Sequence, residues 1–317
     1  MPHFTDRTWL WLAAALYLAG FLPGTLSLLR ERRHSRALMY VILSTAWTLQ
    51  TLGLYLRGLA VHGCPLGNTF EICQFTAWSA ATLYLVIGAT FRLSLLGYFS
   101  SMLMAALTIT SLSIPAWDAE RRVGIFGGNP WITFHAALAL FSYGVFALLA
   151  LTSLMNLLRN YSLKHKRPGG AFAFLPSITA LDHISLRLLV TGVLLLAASL
   201  AVGAVYQVRA PDSVKAFKIL GTVGVWAIYT LVMIFRIRGR LIARKFSWAC
   251  ILLYLCALAT LWLVDTSRRP AGGGGGGGFS ILDSRFSIGR YRAAGERETT
   301  EIAFNRESGI ENRKSLQ

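Results

Sequence analysis

Two histidines have positions that suit metal chemistry at a membrane surface. His135 lies near the start of a long apolar run, shortly after Trp131, and His62 lies just past the end of another. An imidazole in or near a membrane is costly unless it finds a partner, so it indicates a functional site. With Trp117, Trp131 and Phe134 on the same predicted side, the two imidazoles could ligate a haem iron between aromatic walls. The alternative is that His135 hydrogen-bonds to a neighbouring helix and His62 is only solvent-exposed.

Two cysteines and a glutamate lie in or beside the predicted loop that carries His62. Cys64 and Cys73 are candidates for a disulfide on the oxidising side of the membrane, and two unlinked thiols fit the spacing equally well. Because the chain has no C-x-x-C motif, a redox-catalytic pair is not indicated. Glu71 either pairs with Arg57 or begins the next helix, where a carboxylate favours the positive end of the helix dipole.

The familiar catalytic motifs are missing from the sequence. It contains no glycine-rich phosphate loop followed by Lys-Ser/Thr, no H-E-x-x-H and no G-x-S-x-G, so nothing supports a nucleotide-driven pump. The apolar runs are nearly free of acidic residues, which disfavours an ion-coupled transporter. A net charge of +17 would suggest nucleic-acid binding on a soluble surface. Here most basic residues lie between apolar runs, where they signal membrane topology instead.

The elements that must position these residues are membrane-spanning helices. The 317 residues are 55% hydrophobic and only 14% charged, and the mean hydropathy of +0.53 is too high for a soluble domain. A span needs roughly 20 mainly apolar residues, and long continuous runs favour helices over barrel strands. We therefore predict an all-α polytopic bundle in the lipid bilayer with about eight transmembrane helices. The predicted spans are 8–29, 37–60, 74–91, 94–114, 131–158, 186–206, 216–235 and 247–265.

The distribution of Lys and Arg predicts the orientation of the bundle. Basic residues concentrate after the first, fifth and seventh helices, so the positive-inside rule assigns these loops to the cytoplasm and both termini to the outside. Residues 1–270 then form a transmembrane helical domain. Residues 271–317 begin with a run of glycines and continue as a polar segment that cannot bury an apolar core, so we predict a linker and a disordered tail.

Several stretches of the chain resemble motifs of the cytochrome c assembly protein family, in the family's order. They are 65–71 (PLGNTFE), 77–78 (AW), 91–97 (FRLSLLG), 131–143 (a W-x3-H-x6-S-Y pattern), 181–187 (LDHISLR) and 203–205 (GAV). In the CcsA/ResC synthetases of this family, the histidine at the position of His135 is an outer-face haem ligand. The resemblance thus implies haem as cofactor, with His135 on the iron. It also implies a bacterial plasma membrane location, with an organellar membrane as the alternative.

The chain departs from the synthetases in its C-terminal part. Where they carry a Trp-rich outer segment before the penultimate helix, the WWD motif, this chain has VRAPDSVK at 208–215. If Trp226 is aligned with the Trp that follows that segment, the synthetases' intramembrane histidine falls on Ile234, and no histidine follows His183. The resemblance therefore implies the HemX-like branch, which lacks the full motif, and a protein that is not itself a haem lyase.

These comparisons of motifs imply a function at the outer leaflet. We expect an accessory membrane protein of cytochrome c biogenesis that binds or passes haem through His135, with His62, Trp131 and Trp117 around it. Its expected partners are proteins of cytochrome c maturation or of a respiratory complex. The alternative is a degenerate family member that acts as a non-catalytic structural subunit of a respiratory or photosynthetic membrane complex.

Overall fold

The computed structural model describes residues 5–29, 36–91, 94–119, 130–165, 177–209 and 216–266. Within these ranges the chain forms eight α-helices and a short 3₁₀ helix, Pro115–Asp118. The α-helices are α1 (Asp6–Leu29), α2 (Arg36–Ala60), α3 (Thr69–Phe91), α4 (Ser94–Ser113), α5 (Pro130–Lys164), α6 (Ile178–Arg209), α7 (Ala216–Ile237) and α8 (Ala243–Thr266). All of them belong to one compact unit, Met1–Arg268. The predicted tail, 271–317, lies outside the described residues.

The helices confirm the predicted all-α membrane bundle. Six of them are long and apolar enough to cross a bilayer, namely α2, α4, α5, α6, α7 and α8. The other two, α1 and α3, begin with charged side chains, Asp6 and Arg7 in α1 and Glu71 in α3. No strand occurs within the described ranges. We call the end of the bundle where α1, α3, α5 and α7 begin the outer end, following the predicted orientation.

The first four helices pack on one another, and α5 packs on α3, α6 and α8. Side-chain packing at these contacts is tight, as expected where lipid removes the hydrophobic driving force between helices. The ring of Phe146 on α5 stacks on Tyr229 of α7 with centroids 3.9 Å apart. Gly192 of α6 faces the same ring, and a Cβ there would lie 2.4 Å from it. Helix α5 is thus the element that joins the two halves of the bundle.

Helix α3 begins at Thr69, five residues before the predicted span 74–91, because Asn68 caps it. The Asn68 Oδ1 accepts a hydrogen bond from the Glu71 backbone N–H at 2.9 Å, which satisfies one of the donors left open at a helix start. The Glu71 carboxylate reaches back to the backbone N–H of Gly67 at 2.6 Å. This reciprocal arrangement resembles a capping box and keeps the polar first turn helical.

Helix α6 begins at Ile178, eight residues before the predicted span 186–206. The Ser177 hydroxyl accepts a hydrogen bond from the Ala180 N–H at 3.2 Å and caps the helix. Asp182, in the added turn, is ion-paired with Arg236 of α7. The polar residues at 178–185 therefore form a helical extension at the inner end, before the predicted apolar span. Helix α5, with 35 residues, is also longer than predicted and extends about 52 Å.

Candidate functional site at the outer end of α5

His135 lies in the second turn of α5 and packs, half-buried, against α6. Its Nδ1 is 2.7 Å from the carbonyl oxygen of Ser199 and 3.1 Å from the Ser199 hydroxyl oxygen. The same hydroxyl donates a hydrogen bond to the carbonyl oxygen of His135 at 2.9 Å. The hydrogen bond to a neighbouring helix, which the sequence offered as the alternative to ligation, is therefore present.

These contacts determine which ring nitrogen of His135 carries the hydrogen. A carbonyl oxygen can only accept, and the hydroxyl hydrogen of Ser199 is already donated to the His135 carbonyl, so both oxygens act as acceptors towards Nδ1. The hydrogen of the neutral ring is therefore on Nδ1, and Nε2 keeps its lone pair. Metal-binding histidines have this arrangement, one nitrogen donating to the protein and the other ligating. The bond to α6 is thus compatible with ligation.

Gly203 of α6 makes room for the imidazole. A Cβ built on Gly203 would lie 2.7 Å from the His135 Cε1 and 2.9 Å from its Nδ1, both closer than side chains normally approach. Gly203 lies one helical turn beyond Ser199, on the same face of α6. The ring can therefore lie against the α6 backbone only because this position has no side chain.

Two aromatic side chains beside His135 face outwards. Trp131, one turn before His135, is 65% exposed, and Phe134 is 53% exposed. Exposed rings of this size next to an imidazole provide the apolar contacts that a porphyrin requires. Trp117, in contrast, packs with Leu10 and Phe70 among the first four helices. The structure thus brings Trp131 and Phe134 to the end of α5 that carries His135, and it places Trp117 in a different cluster.

His62 ends helix α2 in an unusual backbone conformation. Its φ is 52°, in the left-handed region where glycine is normally found. The N–H of Gly63 bonds to the carbonyl of Gly58 at 3.0 Å, and that of His62 to the carbonyl of Leu59 at 3.4 Å, which is the pattern of a Schellman cap. The imidazole is exposed.

The loop that carries His62 packs on a different face of α5 from the one used by His135. Leu66 forms a cluster with Ile72 and Leu140, and Cys64, Ala136 and Ala137 pack against it. Ala136, Ala137 and Leu140 are the residues of α5 on this side, whereas His135 faces α6. The two imidazoles therefore lie at the same end of the bundle on different sides of α5, and His62 as a second ligand stays a prediction.

Cys64 has a thiol of low reactivity. Burial, with a smaller contribution from the nearby Glu71 carboxylate, raises its pKa to about 11. The thiolate is the nucleophile, so iodoacetamide should alkylate reduced Cys64 about a hundredfold more slowly at pH 8 than an ordinary thiol, with the rate rising towards pH 11. Peptide mass spectrometry with glutathione as internal standard measures this rate. Labelling at the rate of glutathione would contradict the raised pKa.

Cys64 and Cys73 are thiols in the structure, and their disulfide stays a prediction.

A buried ion-pair network, which we call the outer network, closes the outer end of the first four helices. The guanidinium of Arg57 is fully buried and contacts Glu71 at 2.8 Å, Asp6 at 3.0 Å and Asp118. Arg7 adds a second contact to Asp118 at 3.1 Å. Glu71 therefore both pairs with Arg57 and begins α3, the two roles that the sequence offered as alternatives. Sequence reasoning missed Asp6 and Asp118 as partners because they are remote along the chain.

One turn deeper, amide and hydroxyl groups link the same four helices. Gln50 of α2 accepts from the Tyr17 hydroxyl at 2.8 Å and donates to the side chain of Gln74 at 3.0 Å. Gln74 donates in turn to Ser111 of α4 at 2.9 Å. All four residues are buried. The signal that could have found them is the presence of two glutamines in predicted spans, since amide side chains in a bilayer need partners.

No group of three or more His, Cys, Asp or Glu side chains gathers as a metal site in the part of the chain that the structure describes. Haem needs only one or two protein ligands, because the porphyrin supplies four. The arrangement around His135, with an available Nε2 and two exposed aromatic rings, fits an axial haem ligand better than it fits a bare metal ion.

Comparisons with known proteins identify a family for most of the described chain. Residues 66–265 match the family described as Cytochrome C assembly protein. A protein HemX of Brevibacillus brevis is 29% identical over 227 residues, which cover 71% of this chain and 83% of that protein. A protein HemX of Bacillus subtilis (strain 168) is 25% identical over 248 residues, 76% of this chain and 89% of that protein. An uncharacterized 28.8 kDa protein of Azospirillum brasilense is 33% identical over 163 residues, about half of each chain.

Proposed function

The chain belongs to the cytochrome c assembly protein family, and we propose that it binds haem transiently at the outer membrane face as an accessory protein of cytochrome c biogenesis. The family and the two HemX relatives support a role in this process. The observation that carries the haem site is the hydrogen bond from Nδ1 of His135 to the Ser199 carbonyl, which leaves Nε2 as the donor atom.

His135 would hold the iron, and Trp131 and Phe134 would contact the porphyrin edge. When bound, haem supplies the iron-porphyrin that a c-type cytochrome finally carries. The residues of this chain bind and orient it, and the Ser199 carbonyl holds the hydrogen of the neutral imidazole on Nδ1. The bacterial plasma membrane, with proteins of cytochrome c maturation as partners, is the proposed setting.

The visible absorption spectrum of the detergent-purified protein, oxidised and reduced, tests the proposal. We expect a Soret band in the native protein that is lost in His135→Ala. His183→Ala is the matched control, because that exposed imidazole lies near the inner end of α6, and it should retain the band. A featureless spectrum after haem reconstitution of the native protein, or an unchanged band in His135→Ala, would contradict the site.

His62→Gly separates ligation from folding, because glycine is the residue best suited to φ 52°. We expect this variant to be as stable as the native protein or slightly more stable. If His62 is the second axial ligand, the spectrum should change from six-coordinate low-spin to five-coordinate high-spin. An unchanged spectrum would remove His62 from the ligand set and leave His135 as the protein ligand under test.

A structural subunit is the second candidate function, and the outer network favours it. The motif that matches the family at 65–71 contributes Asn68 as a helix cap and Glu71 as a partner of Arg57. Both side chains are buried and bond to groups of this chain. Under this alternative the protein would copurify in fixed proportion with partner subunits, and His135→Ala would leave that assembly intact.

A further inference from the structure

The partner of His135 is a main-chain carbonyl and not a carboxylate. The Nδ1 of His135 points to the Ser199 carbonyl at 2.7 Å, with the hydroxyl oxygen of the same residue as a longer second acceptor. A carboxylate in this position draws the Nδ1 hydrogen towards itself and makes Nε2 a stronger donor to iron. A neutral carbonyl fixes the tautomer with a much smaller gain in ligand basicity.

The carboxylates whose side chains the structure describes at the outer end are used elsewhere. At the outer end, the acidic side chains that the structure describes are Asp6, Glu71 and Asp118, and all three contact Arg57. They are held among the first four helices, whereas His135 contacts α6. The imidazole thus has no carboxylate partner among the described residues, although three lie at the same end of the bundle.

Gly203 is what makes the carbonyl accessible. In an α-helix the carbonyl of residue i bonds to the N–H of residue i+4, so the Ser199 carbonyl already faces the backbone of Gly203. An additional donor can reach this oxygen only from the side, past the Cβ position of residue 203. That Cβ would lie 2.9 Å from Nδ1. The hydrogen bond to His135 therefore depends both on the Ser199 carbonyl as acceptor and on the absence of a side chain at Gly203.

We infer that Ser199 and Gly203 are positioning residues that hold His135 as an Nδ1–H imidazole bonded to a neutral acceptor, so that it is a ligand that releases haem readily. This inference rests on the proposed function and specifies it: the site is built for passing haem on rather than for retaining it. Two substitutions should change the release rate in opposite directions. Gly203→Ala displaces the ring from the Ser199 carbonyl, and Ser199→Asp provides the missing carboxylate.

The first experiment uses the protein without haem. Nitrogen NMR of histidine labelled with ¹⁵N distinguishes the Nδ1–H from the Nε2–H tautomer, and the His135 signal is assigned by its loss in His135→Ala. We expect the Nδ1–H form in the native protein and a shift towards the tautomer mixture of a solvated imidazole in Gly203→Ala. An Nε2–H form in the native protein would overturn the inference whatever the haem result.

The second experiment measures haem transfer from the loaded protein to excess apomyoglobin. Gly203→Ala should bind haem about 10–100-fold more weakly and release it faster, whereas Ser199→Asp should release it about tenfold more slowly. Gly224→Ala is the matched control, since a Cβ there meets nothing within 4 Å. Should Ser199→Asp fail to fold, Ser199→Ala takes its place with a modestly faster release, because it removes the second acceptor of Nδ1 and the bond from the hydroxyl to the His135 carbonyl.

The outcomes separate this inference from the proposed function. If the native protein binds no haem, the proposed function fails, and the tautomer measurement still decides how α6 holds His135. If haem binds but the position 199 and 203 variants release it at the native rate, the positioning role is wrong and the ligand assignment stands.

Discussion

Replacing Arg57 with methionine is expected to destabilise the protein by about 3–5 kcal/mol, because it leaves buried carboxylates without their cation. Arg57 has no exposed surface, and its guanidinium contacts Asp6, Glu71 and Asp118. It also lies 4.9 Å from the ring centre of Phe70. Methionine keeps much of the packing volume and removes the charge. Thermal unfolding in detergent, followed by tryptophan fluorescence, measures the loss.

Two further variants show whether removal of the charge causes the loss of stability. Arg244→Met, in the exposed first turn of α8, removes a similar side chain and should change stability by less than about 0.5 kcal/mol. Adding Glu71→Gln to Arg57→Met should recover part of the loss, since it removes one uncompensated carboxylate. An Arg57→Met protein with the native unfolding temperature would show that the outer network contributes nothing to stability.

The second large effect is expected at Gly144, where α5 meets α3. A Cβ on Gly144 would lie 1.7 Å from the Ser79 hydroxyl oxygen and 2.9 Å from the backbone nitrogen of Ala80. The serine hydroxyl can rotate away, but the backbone of α3 cannot move without disturbing its own packing. We therefore expect Gly144→Ala to destabilise the protein by about 1–3 kcal/mol through overpacking.

The same change from glycine to alanine is expected to stabilise the protein at Gly224. Its Cβ would enter open space, and alanine favours a helix over glycine by up to about 1 kcal/mol. The two variants should thus shift the unfolding temperature in opposite directions. Equal shifts would mean that helix propensity, and not the close approach of α5 to α3, determines the tolerance at Gly144.

The outer network and the His135 site lie at the same end of the bundle but involve different helices and different kinds of contact. The network holds α1 to α4 together through charged contacts among Asp6, Arg57, Glu71 and Asp118. His135 lies outside it, on the helix that joins the two halves, and contacts α6 through neutral groups. The charged contacts therefore stabilise one half of the bundle, and the proposed haem ligand lies outside them.

The sequence by itself determined the class of protein and the number of helices. Apolar runs of bilayer length must become helices because a backbone in lipid has to satisfy its own hydrogen bonds. The pairing of Glu71 with Arg57 was also predictable, since the two residues flank one short loop. The start of α6 was not, because its polar first turns become helical only with the Ser177 cap and the contact from Asp182 to Arg236.

Only the tertiary structure decided what surrounds each candidate residue. Trp117 was expected near the haem and lies among the first four helices, and Ser199 and Gly203 did not stand out as partners of His135. Residues this far apart along the chain come together only through the packing of helices. That packing depends on where small residues allow two helices to approach each other closely. A histidine in a span is visible in the sequence. The nitrogen that carries its hydrogen is determined by the acceptor that a distant helix presents, and that acceptor is a backbone atom present at every residue.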